Sequence, residues 1–182
     1  MRADMSEPSL PLRLVIMGVS GSGKSTLSLA LGERLGLQVM DGDDLHLPES
    51  VAKMRAGIAL QDADRWPWLD RIGAYLADSP WPGRVVACSA LRRIYRDRIR
   101  AQAGEVRFVF LEGSYELISQ RMARRAGHYM QPQMLESQFR TLERPTVDEE
   151  DVITLAITEP VSQLVDEALA ALQVHPGLPA NL

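Results

Sequence analysis

The most informative segment of the sequence is Gly18-Val19-Ser20-Gly21-Ser22-Gly23-Lys24-Ser25, because it matches the phosphate-binding pattern GxxxxGK[ST] at every fixed position. Its glycines let the backbone turn with the N–H groups pointing inward, so that they form a concave nest for an anion. The Lys24 ammonium group can reach the β- and γ-phosphates of a nucleotide, and the Ser25 hydroxyl can bind Mg²⁺. The stretch therefore predicts a P-loop for ATP or GTP that extends to Thr26.

The flanking sequence has the pattern that a P-loop requires. Leu12–Met17 reads as a buried strand, and Leu27, Leu31 and Leu35 lie four apart on one face of the helix that follows. The positive end of this helix dipole would face the phosphates. Nucleotide binding alone does not identify a kinase, since the same loop serves switches, motors and hydrolases.

Short apolar runs alternate with amphipathic patterns along the rest of the chain. Residues 37–40, 84–89, 106–111 and 152–157 read as four further strands. Ser114 is the expected cap of the helix after the fourth strand, and Pro160 opens the last helix. Strands that alternate with helices indicate a parallel sheet. We therefore predict an α/β fold, a three-layer P-loop NTPase with a five-stranded parallel sheet.

The length of 182 residues suits one domain. We expect a flexible N-terminus over residues 1–11, a single P-loop kinase domain over 12–174 and a tail over 175–182. Two insertions interrupt the alternation, a substrate-binding insertion at about 45–77 and a lid at about 126–145. Mobile substrate and lid elements commonly occupy such positions.

Composition argues against several classes of partner. The formal net charge is −4, so no nucleic acid partner is expected. Basic residues gather only locally, at 92–100 and 121–125, which suits a small anionic ligand. No stretch approaches the roughly 20 apolar residues that span a bilayer, so no membrane partner is expected either. The single cysteine, Cys88, favours a reducing, cytoplasmic location.

An acidic stretch, Asp41-Gly42-Asp43-Asp44, follows the second predicted strand. It would lie at the carboxyl edge of the sheet, where open α/β proteins bind ligands. A carboxylate there can accept a proton from a substrate hydroxyl, and Asp43 is the candidate for that base. The alternative interpretation is an acidic turn whose carboxylates are solvated.

Basic and polar residues of the first insertion could form the acceptor pocket. His46, Lys53 and Arg65, together with Ser89 at the end of the third strand, suit a ligand with a carboxylate and several hydroxyls. Each of them alone would more often be an ordinary surface residue. Trp66-Pro67-Trp68 is expected to pack the insertion onto the body of the domain.

The arginines at 121, 124 and 125 suit a lid that brings positive charge to the transferring phosphoryl group. Surface salt bridges are the alternative for Arg121 and Arg124. No Asp ends the third strand, which reads Val-Val-Ala-Cys-Ser. The usual acidic anchor for magnesium is therefore missing there, and this argues against a GTPase or a motor.

Taken together, these segments resemble the gluconokinase family of small P-loop kinases over about residues 12–172. The segments that carry the resemblance are 18–26, 41–46, Lys53-Met54, Gly57, Leu60, 64–69, 88–91, 95–97, Gly127-His128, Ser137-Gln138-Phe139 and Leu142-Glu143. The resemblance implies ATP:gluconate 6-phosphotransferase activity that yields 6-phosphogluconate for the pentose phosphate or Entner-Doudoroff route. It also implies a nucleoside-monophosphate-kinase-like fold, Mg²⁺ dependence and commonly a homodimer.

The resemblance also implies roles for individual positions. Asp43 would face the terminal hydroxyl of the substrate, with Lys24 and Arg124 as the other catalytic residues and Arg121 at the nucleotide. The expected substrate-binding residues are Asp41, Asp43, His46, Lys53, Arg65, Ser89, Arg96 and His128.

One stretch departs from the family pattern. The family often has His-Pro and an Asn three residues later, whereas this chain reads His46-Leu47-Pro48-Glu49-Ser50. A changed contact there leaves other acceptors open, namely a shikimate-like compound, adenylylsulfate or another sugar acid. A non-kinase ATP-binding switch is the remaining alternative.

Overall fold

The computed structural model describes residues 10–124 and 132–173, and these form one five-stranded sheet with helices on both faces. Every strand pair is parallel, and the strand order is β2-β3-β1-β4-β5. The strands are β1 Leu12–Met17, β2 Gln38–Asp41, β3 Gly83–Ala87, β4 Arg107–Glu112 and β5 Val152–Ala156. The predicted five-stranded parallel sheet is confirmed, with strand ends shifted by one or two residues.

Seven α-helices lie within the described residues, together with a 3₁₀ helix at Gly42–Leu45. The helices are α1 Lys24–Leu35, α2 Pro48–Arg55, α3 Asp62–Ala77, α4 Arg93–Ala103, α5 Tyr115–Ala123, α6 Pro132–Thr141 and α7 Val161–Leu172. The first insertion holds two helices, α2 and α3, of which α3 is long at 16 residues. The Ser114 hydroxyl accepts a hydrogen bond from Leu117 N at 3.2 Å, so the predicted cap of α5 is confirmed.

The central strand β1 separates two apolar cores. Because side chains alternate along a strand, Leu14 and Ile16 face one side of the sheet while Val15 and Met17 face the other. The first side is covered by α1 and α7, and the second by α3 and α4. Burial on both faces explains why β1 is apolar throughout apart from Arg13.

The parallel register places the carboxyl ends of β1, β3 and β2 side by side. Ile16 pairs with Ala87, and Ala87 pairs with Asp41. The P-loop, Ser89 and the acidic stretch therefore follow three neighbouring strands at one edge of the sheet. In the ranges 10–124 and 132–173, no helix is long and apolar enough to cross a bilayer.

Candidate active site

The P-loop connects β1 to α1, and two of its glycines are required by the local geometry. Gly21 has φ +77°, and a Cβ atom there would lie 2.6 Å from Met122 Cγ on α5. Gly23 has φ +99° and is the N-cap of α1, so the helix begins at Lys24. The chain thus turns sharply with helix α5 packed against the loop, and the N-terminus of α1 opens into the same concavity.

Lys24 lies half-buried at the base of the loop. Its Nζ donates a hydrogen bond to the carbonyl oxygen of Val19 at 3.0 Å. Burial lowers the pKa of Lys24, and the nearby carboxylates of Asp43 and Asp41 act in the opposite direction. The P-loop lysine and the acidic stretch are therefore close enough to influence each other electrostatically.

The acidic stretch forms a tight turn against the end of β3. Asp41 caps the 3₁₀ helix, since its Oδ1 accepts a hydrogen bond from Asp43 N at 3.0 Å. A Cβ atom at Gly42 would lie 2.6 Å from the carbonyl oxygen of Ala87, so only glycine permits this approach. The turn leaves the Asp43 side chain 85% exposed.

The pKa of Asp43 is raised above its ordinary value. The surrounding protein reduces the solvation of this carboxylate even though its surface is open, and this is the main cause; the negative charge of Asp41 adds to it. His46, when it is protonated, and Lys24 lower this pKa and only partly offset the rise. An accessible carboxylate with a raised pKa matches what a general base requires.

His46 lies beside Asp43 and is held by Trp68. The two rings stack with centroids 4.2 Å apart, and His46 Nε2 lies 3.9 Å from Asp43 Oδ1. Trp68 Nε1 donates a hydrogen bond to Gly42 O at 2.7 Å, so Trp68 packs the insertion onto the body as predicted. His46 Nδ1 is buried and has no hydrogen-bond partner among the described residues. Burial lowers the pKa of His46, which favours a neutral ring.

Ser89 follows β3 and lies next to the start of the P-loop. Its carbonyl oxygen accepts a hydrogen bond from Gly18 N at 3.3 Å, and the residue is half-buried. The structure thus brings Ser89, the P-loop and the acidic turn to one edge of the sheet, as the sequence pattern predicts.

Lys53 and Arg65 are half-buried and already have partners within the protein. Lys53 Nζ lies 2.6 Å from Asp64 Oδ1, which links α2 to α3. Arg65 Nη1 donates to Tyr95 Oη at 3.2 Å and lies 3.7 Å from Asp62 Oδ1. These cations retain exposed surface, so their contact with a substrate stays a prediction.

Arg96 is placed differently from the other expected substrate ligands. Its side chain is 1% exposed, and it forms two hydrogen bonds to Glu149, at 2.7 and 2.6 Å. Its Nη1 donates to the carbonyl oxygens of Ala90 at 3.2 Å and Glu143 at 3.1 Å. The structure therefore does not bring Arg96 to the cleft surface. Its visible role is to hold the backbone that follows Ser89.

Arg121 and Arg124 lie at the C-terminal end of α5. Arg121 donates a hydrogen bond to the carbonyl oxygen of Ile157, and Arg124 is the exposed C-cap of α5. His128 and Arg125 lie outside the described residues, as do the first residues of the predicted lid. The remainder of the predicted lid region contains α6.

Sequence reasoning assigned no role to Gln138 of α6, and the structure gives it two contacts with the P-loop. Gln138 Oε1 accepts a hydrogen bond from Ser20 N at 2.7 Å, and Gln138 Nε2 donates to Ser20 Oγ at 2.9 Å. The two residues are 118 positions apart. No periodic pattern in the sequence predicts such a contact.

Comparisons with known proteins find matches over most of the chain. A family model described as an AAA domain matches residues 14–145. The thermosensitive gluconokinase of Escherichia coli (strain K12) is 39% identical over 160 residues, which are 87% of this chain and 86% of that protein. The crystal structure of a gluconokinase from Sinorhizobium meliloti 1021 is similar with a TM-score of 0.81 at 45% identity, and covers 91% of this chain and 94% of that one.

A more distant likeness bears on the fold alone. The structure of the Mycobacterium tuberculosis APS kinase in complex with AMPPNP and APS has a TM-score of 0.61 at 21% identity, over 91% of this chain and 99% of that one. A kinase with another acceptor therefore shares this three-layer architecture.

Proposed function

This chain belongs to the gluconokinase family of P-loop kinases, and we propose from that premise that it transfers the γ-phosphoryl group of ATP to the terminal hydroxyl of gluconate. The relatives that carry the proposal are gluconokinases at 39% and 45% identity over most of the chain. The product is 6-phosphogluconate.

One structural observation carries the mechanism. The P-loop lysine follows β1 and Asp43 follows β2, the two strands that flank β3, and the two groups are close enough for each to shift the pKa of the other. This proximity supports the proposed pairing of a phosphate-binding group with a proton acceptor, which phosphoryl transfer requires.

The proposed chemistry uses few groups. The terminal hydroxyl oxygen of gluconate forms a bond to the γ-phosphorus while the bond from that phosphorus to the β,γ-bridging oxygen breaks, and ADP leaves with the electron pair. Asp43 takes the hydroxyl proton. Lys24 neutralises charge on the phosphates, and we assign Arg124 and Arg121 to the nucleotide side of the cleft.

The residues at this site fit a magnesium ion that is bound mainly by phosphates. Ser25 is exposed at the first turn of α1, and the carboxylates of Asp41 and Asp43 lie near Lys24 at the same edge. In the described part of the chain, no cluster of three or more His, Cys, Asp or Glu residues could form a cage for a metal. Mg²⁺ commonly uses one or two protein ligands with waters and phosphates, so Ser25 is the proposed direct ligand. When bound, the ion would neutralise phosphate charge.

We propose that His46, Lys53, Arg65 and Ser89 bind the sugar acid. The altered 46–50 stretch does not oppose this assignment, because Ser50 is 4% exposed and its hydroxyl donates to Asp64 O at 3.4 Å. Ser50 therefore supports the junction of α2 with α3. We also propose that the protein is cytoplasmic and forms a homodimer. Sedimentation analysis would test the oligomeric state.

A coupled assay with ATP, Mg²⁺ and gluconate tests the function directly. Gluconate-dependent ADP formation is expected, while shikimate, adenylylsulfate and other sugar acids should give lower kcat/KM values. Lys24→Met should abolish turnover and leave the fold largely intact, because it removes the phosphate-binding charge and only one hydrogen bond of the loop. Turnover that ignores the acceptor would indicate a slow ATPase, and a better acceptor in the panel would replace gluconate.

A further inference from the structure

We propose that Gln138 is a positioning residue of the nucleotide site, whose carboxamide holds the tip of the P-loop through Ser20. The inference rests on the proposed function only in taking the P-loop as an ATP site. It concerns how the loop is kept ready to receive phosphates.

The contact uses both ends of the carboxamide. Oε1 accepts from Ser20 N at 2.7 Å, and Nε2 donates to Ser20 Oγ at 2.9 Å. Two bonds to one residue fix the Ser20 backbone and side chain together, as one bond to a flexible side chain would not. The Ser20 N–H is thereby satisfied by the protein itself.

Fixing Ser20 also fixes the peptide groups that follow it. The next loop residue, Gly21, packs against Met122 of α5, and Ser22 N donates to Val19 O at 3.3 Å. The tip of the loop is thus held from α6 by Gln138 and from α5 by Met122. The N–H groups of the nest must converge on one point to bind phosphate, and ordering them in advance reduces the entropy that binding costs.

Gln138 is itself held in place by contacts at its own end of α6. Phe139 packs edge-on against Tyr115 of α5, with ring centroids 5.6 Å apart. Just beyond α6, Glu143 N donates to Leu91 O at 2.8 Å, and Glu143 Oε2 accepts from Arg93 N at 2.8 Å. The C-terminal half of α6 is therefore anchored to α5 and to the start of α4, so a rigid element holds the Gln138 carboxamide in position.

The test measures ATP binding directly by calorimetric titration with Mg-ATP in the absence of gluconate. Gln138→Ala should weaken ATP binding about tenfold, since two neutral hydrogen bonds to the loop are lost. The KM for gluconate should stay within about twofold, and so should the ATP affinity of the matched control Gln133→Ala, an exposed glutamine on the same helix. If Gln138 only stabilised the fold, Gln138→Ala would lower the melting temperature and would not affect ATP binding and the KM for gluconate differently.

Two further variants keep the proposal falsifiable if Gln138→Ala folds poorly. Gln138→Glu preserves the shape but sets a negative charge beside the nest, so ATP affinity should fall at least as far as in Gln138→Ala. Ser20→Ala alone should lower ATP affinity about threefold. Added to Gln138→Ala it should lower the affinity no further, because the Ser20 hydroxyl has already lost its donor, Gln138 Nε2. ATP affinities equal to that of the unsubstituted protein for Gln138→Ala and Gln138→Glu, or fully additive losses with Ser20→Ala, would overturn the proposal.

The titration separates this inference from the proposed function. If the unsubstituted chain binds Mg-ATP but does not phosphorylate gluconate, the acceptor assignment fails and the Gln138 result still stands. If gluconate is turned over and the Gln138 variants bind ATP normally, the inference alone fails.

Discussion

Asp43 combines the two properties that a proton acceptor needs at this site. Its side chain is open to the cleft, and its pKa is raised by reduced solvation and by Asp41. It follows two residues after the end of a strand, on a turn whose backbone is fixed by Gly42 and Trp68. Its carboxylate is therefore held in place without being buried.

Replacing Asp43 by Asn should lower kcat by about two orders of magnitude or more, with a small change in the KM for gluconate. An amide keeps the shape but cannot accept the hydroxyl proton, and general base catalysis contributes about 10²–10⁴-fold. Steady-state kinetics checks this. Asp44→Asn, an exposed carboxylate on the same 3₁₀ helix, is the matched control and should stay near the unsubstituted rate. A loss confined to KM would make Asp43 a binding residue.

Asp41→Asn should move the acidic limb of the kcat/KM profile for gluconate to lower pH. The negative charge of Asp41 raises the pKa of Asp43, so its removal lets Asp43 stay ionised further into acid. Asn can still accept the cap bond from Asp43 N. The charge of Asp44 also raises the pKa of Asp43, but it contributes least among the causes. Asp44→Asn should therefore shift the acidic limb in the same direction and by less. A shift toward higher pH would contradict the assignment of Asp43 as the titrating base.

At the scale of elements, the acidic 3₁₀ helix depends on α3 for its position. Trp68 of α3 is 4% exposed, stacks on His46 and donates to Gly42 O. One side chain thus holds both the turn that carries Asp43 and the ring beside it.

Trp68→Phe should raise the KM for gluconate several-fold and lower the free energy of unfolding by about 1–3 kcal/mol. The phenyl ring retains an aromatic face, but the buried Gly42 carbonyl loses its donor. Kinetics and urea unfolding check the two effects. Trp81→Phe, at a tryptophan that is 53% exposed, is the control and should leave both quantities nearly unchanged. Unaltered kinetics in Trp68→Phe would show that the turn does not need this bond.

The elements were more predictable than the contacts between them. Apolar runs such as 12–17 and 106–111 located the strands to within one or two residues, because burial on both faces demands continuous apolar sequence. Long-range polar contacts leave no such pattern. Gln138 reaches Ser20 across 118 positions, and Arg96 is directed inward by Glu149, 53 residues away. A basic residue near a cleft looks the same in sequence whether it faces substrate or a buried carboxylate.

At the scale of the whole molecule, a buried ion network ties α4 to the segment before β5. Glu149 accepts from Arg96 and from Arg100, and Arg100 also bonds Asp151 at 2.7 Å. Burial alone would raise the pKa of Glu149, but hydrogen bonds and charge from the two arginines lower it to about 2. The network links α4, which covers one of the two apolar cores, to the segment that leads into the edge strand β5.

Stability should fall as the pH decreases from 4.5 to about 2, and Glu149→Gln should make this dependence shallower. A carboxylate with a depressed folded pKa stabilises the fold above its unfolded value, and that contribution is lost as the folded group takes up its proton. At neutral pH, Glu149→Gln should also cost about 3–5 kcal/mol, because the buried Arg96 loses its counter-charge.

Urea unfolding at several pH values checks this prediction. Glu150→Gln, at the exposed neighbouring glutamate, is the control and should reproduce the slope of the unsubstituted protein. An equal slope in Glu149→Gln would show that other carboxylates govern the acid sensitivity.

The central position of β1 has a consequence for synthesis on the ribosome. Among the described strands β1 comes first along the chain and needs partners on both sides, and its neighbours β3 and β4 begin only at residues 83 and 107. Until residue 107 has been added, Leu-Arg-Leu-Val-Ile-Met keeps at least one open strand edge, which is the condition under which nascent chains associate wrongly. Slow elongation before residue 107 would therefore lower the yield of native protein, and holdase chaperones that shelter the N-terminal segment would restore it.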